Sequence, residues 1–147
     1  MNPSPTFSPR PRTLRQVSAE VVSGATYSSC MKEFIDALTA SAVPPAKRSG
    51  VYAIDPSFVS DEPLALLDPT HMAHMGGLAE YVSSLCGRKP PDWSEKPSYF
   101  LTHPCHTGGR RNAANMMETT PSAFRRRLLF CGPALQKLHR LKPRPTA

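Results

Sequence analysis

Asp68-Pro-Thr-His-Met-Ala-His-Met-Gly-Gly-Leu-Ala-Glu-Tyr-Val-Ser-Ser-Leu-Cys-Gly87 decides the fold class of this 147-residue chain. An aspartate followed by proline is a helix start: the carboxylate can accept from orphan backbone amides, and proline at the first helical position loses no needed donor. Met72, Met75, Leu78, Ala79, Val82 and Leu85 then recur at helical spacing on one face, and Gly87 supplies the stop. Gly76-Gly77 interrupts the middle of that face, at roughly 1 kcal/mol per glycine relative to alanine. Such a pair marks either a close helix–helix approach or a weak point.

Outward from this helix the same signals repeat. Thr13-Leu-Arg-Gln16 has the form of a capping box, and Leu14, Val17, Val21 and Val22 follow it at helical spacing up to Gly24. A second helix is expected from about Ser28 to Ala40, with Met31, Phe34, Ile35 and Leu38 on one face. Val43–Gly50 is a connector, Val51–Val59 a short extended piece broken by Pro56, and Leu64–Leu67 one helical turn. Beyond Gly87, a proline-stiffened loop delivers Trp93 as an anchor, and Pro97–Leu101 reads as a further turn. Arg110–Glu118 reads as helical. Thr120-Pro121 opens a helix through Phe124, Leu128 and Cys131, and a last short helix carries Ala134, Leu135, Leu138 and Leu141.

The resulting expectation is an all-α protein of five to seven helices joined by proline-rich loops. Residues 13–142 form one helical domain between disordered tails at 1–12 and 143–147. Seventeen prolines, more than double the usual share of about 5%, cluster in the tails and joints. The longest strongly apolar run is Leu64–Leu67, too short to span a membrane. Residues 1–12 hold no apolar stretch of the secretory kind. The four cysteines show no short pair spacing, so reduced thiols in a cytoplasm are expected.

Charge is segregated. From Leu101 onward nine Lys/Arg face one acid, Glu118, whereas Val51–Phe100 carries three basic residues against seven acids. Three consecutive arginines, Arg125, Arg126 and Arg127, sit inside an apolar frame. Helical positions advance by about 100°, so these three fan around the turn and cannot line one groove. One is expected at the core boundary, with its stem buried and its head in water. The others, with Arg110, Arg111, Lys137 and Arg140, form a candidate surface for phosphates or for carboxylates of a partner. The alternative is a solvated face paired internally with the acidic middle segment.

Two other constellations contain residue types that can carry chemistry. His71, His74, His103, Cys105 and His106 are metal-ligand residue types, but their spacing fits no finger, ribbon or metalloprotease pattern. No metal and no cofactor is expected. Cys105 has two histidine neighbours in sequence, yet a Cys–His nucleophile needs a base held within hydrogen-bonding reach and a third orienting group. No catalytic residue is assigned. Phe124, Trp93 and Phe130 read as structural aromatics, and Arg126 as a surface residue whose loss leaves stability nearly unchanged.

The order of features from Leu78 to Phe130 resembles a diffuse group of small uncharacterised bacterial helical proteins carrying a Pro-x-Ala-Phe-Arg-Arg-Arg motif. The residues that carry the resemblance are Leu78, Glu80, Tyr81, Gly87, Pro91, Trp93, Phe100, Leu101, Pro104 and Pro121 through Phe130. The group is loosely associated with toxin–antitoxin-like or mobile-element loci. This chain departs from it at Leu128, where asparagine is common, and at Cys105, where an aromatic is usual. The resemblance implies a helical fold in a bacterial cytoplasm and supplies no catalytic residues. The functional expectation is a non-enzymatic interaction or regulatory protein, antitoxin-like or accessory. It would bind a partner protein through a basic C-terminal helical surface, with nucleic-acid binding through the same residues as the alternative.

Overall fold

A computed structural model describes residues 13–43, 51–107 and 113–140. The expected tails at 1–12 and 143–147, most of the connector before Val51, and Arg110 and Arg111 lie outside these described residues. Helix α1 spans Leu14–Val22, and its start is the capping box read from sequence. Thr13 Oγ1 accepts from the Gln16 amide at 3.0 Å, while Gln16 Oε1 accepts from the Thr13 amide at 3.2 Å. Gly24, at φ +113°, turns the chain into α2, Tyr27–Ser41, which packs against α1 and buries Met31, Phe34 and Leu38.

A four-residue helix α3, Ser57–Ser60, follows, where the sequence suggested extended chain. The extended part is confined to an antiparallel bridge between Val43 and Ala53. Pro56 explains the difference, since its fixed φ suits the entry to a turn. Leu64–Leu67 forms no helical turn. Leu64 donates its amide to Ser18 Oγ at 2.8 Å and Leu66 to Met72 Sδ at 3.3 Å, so both are held by tertiary partners.

Helix α4, Pro69–Leu85, is the centre of the fold. Asp68 Oδ1 accepts from the Thr70 amide at 2.8 Å, and Gly87 ends the helix at φ +65°. Its buried residues include Met72, Met75, Leu78 and Val82. At about 1.5–3 kcal/mol per fully buried large side chain, this one face contributes a major share of the core. Gly76 and Gly77 are buried where other elements approach α4 closely. A Cβ on Gly76 would lie 2.8 Å from Tyr99 Cβ, and one on Gly77 would lie 2.5 Å from Phe124 Cδ1. The glycine pair therefore marks a close approach.

Two 3-10 turns, Asp92–Glu95 and Pro97–Tyr99, lie across α4. Trp93 anchors them: it is buried, and its Nε1 donates to the Val59 carbonyl at 3.1 Å. Helix α5 spans Ala113–Thr119 and α6 spans Ser122–Arg125. The helix expected through Cys131 stops at Arg125 because Leu128 takes a left-handed φ of +64°. The chain then pairs β2, Leu129–Phe130, in parallel with β1, Cys105–His106. The Cys105 amide donates to the Leu128 carbonyl at 2.8 Å and the Thr107 amide to Phe130 at 3.2 Å. Helix α7, Gln136–His139, closes the described chain with Leu138 fully buried. The fold is all-α, and this two-residue pairing and the single bridge are its only β structure among the described residues.

Candidate functional site

The arginine run is divided by the turn that ends α6. Arg127 is fully buried, its whole guanidinium included, rather than lying at the core boundary with its head in water. Its Nη1 donates to Glu80 at 2.5 Å and to the Ala123 carbonyl at 2.7 Å, and Nη2 donates to the Ser94 carbonyl at 2.8 Å. The guanidinium lies over the Phe100 ring at 4.5 Å. Its Nε has no hydrogen-bond partner and sits where a Gly76 side chain would be, 3.0 Å from that position. A buried cation demands such compensation, because removing it from water without partners is strongly unfavourable.

Arg126 turns to the rim of the same cluster. Its Nε donates to Glu80 at 2.7 Å, its Nη2 pairs with Glu95, and the group covers the other approach to Phe100 at 5.0 Å. Burial alone would push the Glu80 carboxyl up. Hydrogen bonds and charge from Arg126 and Arg127 outweigh that and hold it below the usual carboxylate range. Pieces far apart in sequence (Glu80, Ser94, Phe100 and Ala123–Arg127) thus meet as one structural clamp across α4. Arg127 is withdrawn from any binding surface, and Arg126 is committed to two carboxylates.

Arg125 and Arg140 are exposed, and neither forms an ion pair among the described residues. Lys137 lies within α7. Of the remaining described cations, Lys96 pairs with Glu62 at 2.7 Å, Arg15 donates to the Glu62 carbonyl at 3.0 Å, and Arg88 donates to the Ile54 carbonyl. Much of the basic character of the folded body is therefore consumed internally.

His71 and His74 meet around Tyr27, while His103 and His106 have other partners. His71 stacks on Tyr27 with ring centroids 3.9 Å apart and lies 3.5 Å from Asp68. His74 Nδ1 lies 2.6 Å from the Tyr27 hydroxyl, and its ring stacks on Phe124. Burial pushes the His74 imidazole down from 6.5 to about 4, with the neighbouring His71 adding to the shift, so it is neutral at physiological pH. His103 contacts Thr102, while His106 stacks on Phe130 at 4.9 Å. Among the described residues no three His, Cys, Asp or Glu side chains are grouped to hold a metal ion. All four cysteines are free thiols, and burial pushes Cys131 up to about 11, away from nucleophilic reactivity at neutral pH.

Two arrangements had no signature in the sequence. His139 on α7 lies between two phenols, with Tyr81 Oη 2.7 Å from Nε2 and Tyr52 Oη 3.3 Å from Nδ1, which ties the C-terminal helix to α4. A cleft of about 640 Å³ opens along α2, between its Tyr27, Met31 and Ile35 face, the first turns of α4, and the chain after β2. The His71/His74 spacing was visible as a shared helix face. Tyr27, 47 residues before its hydrogen-bond partner His74, was not.

No protein-family model matches the chain, and no curated protein or solved structure matches it. The fold and its clamp describe a small helical protein whose central helix is locked by a C-terminal Phe-Arg-Arg-Arg turn. Among the described residues, no helix is long and apolar enough to cross a membrane.

Proposed function

We propose that this chain is a non-catalytic binding protein, of regulatory or accessory kind in a bacterial cytoplasm, that engages an acidic partner protein through cations held outside its structural clamp. The observation that carries this reading is the partition of charge. Of eighteen Lys/Arg, eight lie in residues 1–12, 44–50, 108–112 and 141–147, with no acid among them. The described residues keep the other ten basic side chains against all eleven acids. The described residues are thus close to electroneutral, and the net charge of +7 comes from these four acid-free stretches of sequence. Exposed Arg125 and Arg140 extend that charge onto the body. Clustered cations of one sign steer and bind an anionic partner.

Replacing the whole arginine run would test the wrong property, because Arg127 and Arg126 hold the fold. The informative variant is Arg125→Glu/Arg140→Glu/Lys142→Glu/Arg144→Glu. It should melt like the parent and lose the proteins that the parent retains from host lysate after nuclease treatment. Retention of the same proteins at the same salt by this variant refutes the reading.

Nucleic-acid binding is the second reading, favoured by the complete absence of acids from the four basic segments. Phosphate contacts would make log affinity fall linearly with log salt, by roughly 0.9 per contact on duplex DNA. Absence of binding to mixed-sequence DNA and RNA at low salt eliminates it.

A further inference from the structure

The α2 cleft has a chemical character that the charge-based reading does not use. Its apolar lining is Tyr27, Met31, Ile35, Leu129 and Leu135, interspersed with hydroxyl and amide side chains. Its volume, about 640 Å³, falls within the roughly 300–1,000 Å³ of small-molecule sites. Lys32 and Asp36, one helical turn apart, both line it, so the rim offers opposite charges and favours no net charge in an occupant.

The Tyr27–His74 pair in the lining is oriented by a hydrogen bond. The Tyr27 hydroxyl is kept protonated, because burial and the charge of Asp68 push its pKa well above the ordinary phenol value. A phenol O–H withdrawn from water needs an acceptor, and the partner it has is His74 Nδ1 at 2.6 Å. Accepting at Nδ1 fixes the neutral imidazole as the tautomer with its proton on Nε2. That Nε2 has no hydrogen-bond partner among the described residues, and His74 is part of the cleft lining. The second ring, His71, stacked flat on Tyr27, holds the phenol in place.

We infer that the α2 cleft is a binding site for a small, uncharged aromatic compound bearing one hydrogen-bond acceptor, of the aryl ketone type. The acceptor oxygen takes the His74 Nε2 proton, and the ring lies against Tyr27, Met31 and Leu129. Tyr27 is a positioning residue, acting through the tautomer it imposes on His74. The inference is independent of the partner reading, since the cleft uses none of Arg125, Arg140 or the basic segments.

The test titrates the full chain with 2-acetylnaphthalene and with 2-ethylnaphthalene, which have the same ring body with and without the acceptor. The ketone should bind saturably at one site, several-fold to about tenfold tighter than the ethyl compound, as one hydrogen bond allows. In His74→Phe the two compounds should bind alike, at the level of the ethyl compound in the parent. If His74→Phe does not fold, the ¹⁵N-labelled parent carries the test: the His74 Nε2–H resonance should move downfield with the ketone and not with the ethyl compound. Equal affinities in the parent, a ketone preference that survives His74→Phe, an unmoved resonance, or no saturable binding of either compound overturns the inference.

Discussion

Gly77→Ala should destabilise this protein, although the same exchange in the interior of an ordinary helix is stabilising. Alanine gains about 1 kcal/mol over glycine from helix propensity alone. At this position the new methyl would lie 2.5 Å from Phe124 Cδ1 and 2.8 Å from Cε1. Ordinary carbon–carbon contact is about 3.5–4.0 Å, so the overlap is about 1 Å against a ring with no exposed surface. Forcing one extra methyl into a packed core costs about 1–3 kcal/mol. Set against the propensity gain, the net loss is up to about 2 kcal/mol. Urea denaturation followed by far-ultraviolet circular dichroism reads this as a lowered midpoint at an unchanged slope. Phe124→Leu, which shortens the ring, should make the added methyl less harmful, so the two changes couple favourably in a double-mutant cycle. A raised midpoint for Gly77→Ala, or strict additivity with Phe124→Leu, would refute the close approach of α6 to α4.

Two further outcomes follow from single groups. His74 has its folded-state pKa depressed from 6.5 to about 4, so its contribution is fully present above pH 6.5 and is lost as pH falls toward 4. Stability measured across that window should decline with a slope of up to one proton, and His74→Phe should flatten it; an unchanged slope in the variant contradicts the assignment. Leu128 holds a left-handed backbone, which costs an ordinary residue about 1–2 kcal/mol. Leu128→Gly should therefore change stability by less than about 1 kcal/mol, as relief of strain offsets the half-buried side chain. A loss above about 2 kcal/mol in denaturant melts removes that reading.

Local signals carried the helices well. The Thr13 capping box, the Asp68-Pro69 start and the Gly24 and Gly87 stops are all decided within a few residues of themselves, and the structure shows each of them. What the sequence left open depends on partners distant along the chain. The spacing of Phe124 and Leu128 suits a helix, yet Leu128 serves as the turn that lets Leu129–Phe130 pair with Cys105–His106. No periodicity in 120–131 contains that strand. Leu64–Leu67 looks helical in isolation, but its amides are taken by Ser18 and Met72 and it forms no helical turn. The arginines were legible as a run, but not their division. Which arginine goes inside depends on Glu80, Ser94 and Phe100, brought to the run by α4 and by the turns laid across it. The cleft was invisible for the same reason, since its Tyr27–His74 pair joins α2 to α4.

The division of the arginine run is the claim on which both the fold and the placement of the binding charge rest. The melting temperatures of Arg125→Ala, Arg126→Ala and Arg127→Ala test it most directly. Arg127→Ala leaves Glu80 and two carbonyls without their buried partner, and breaking such a pair costs about 3–5 kcal/mol. Arg126→Ala loses rim pairs of about 1 kcal/mol, and Arg125→Ala should stay within about 0.5 kcal/mol. At a few degrees per kcal/mol for a chain of this size, the expected order is a drop of at least about 10 °C for Arg127, a few degrees for Arg126 and no resolvable change for Arg125. A melting temperature for Arg127→Ala within a degree or two of the parent, or a larger fall for Arg125→Ala than for Arg127→Ala, would contradict the account.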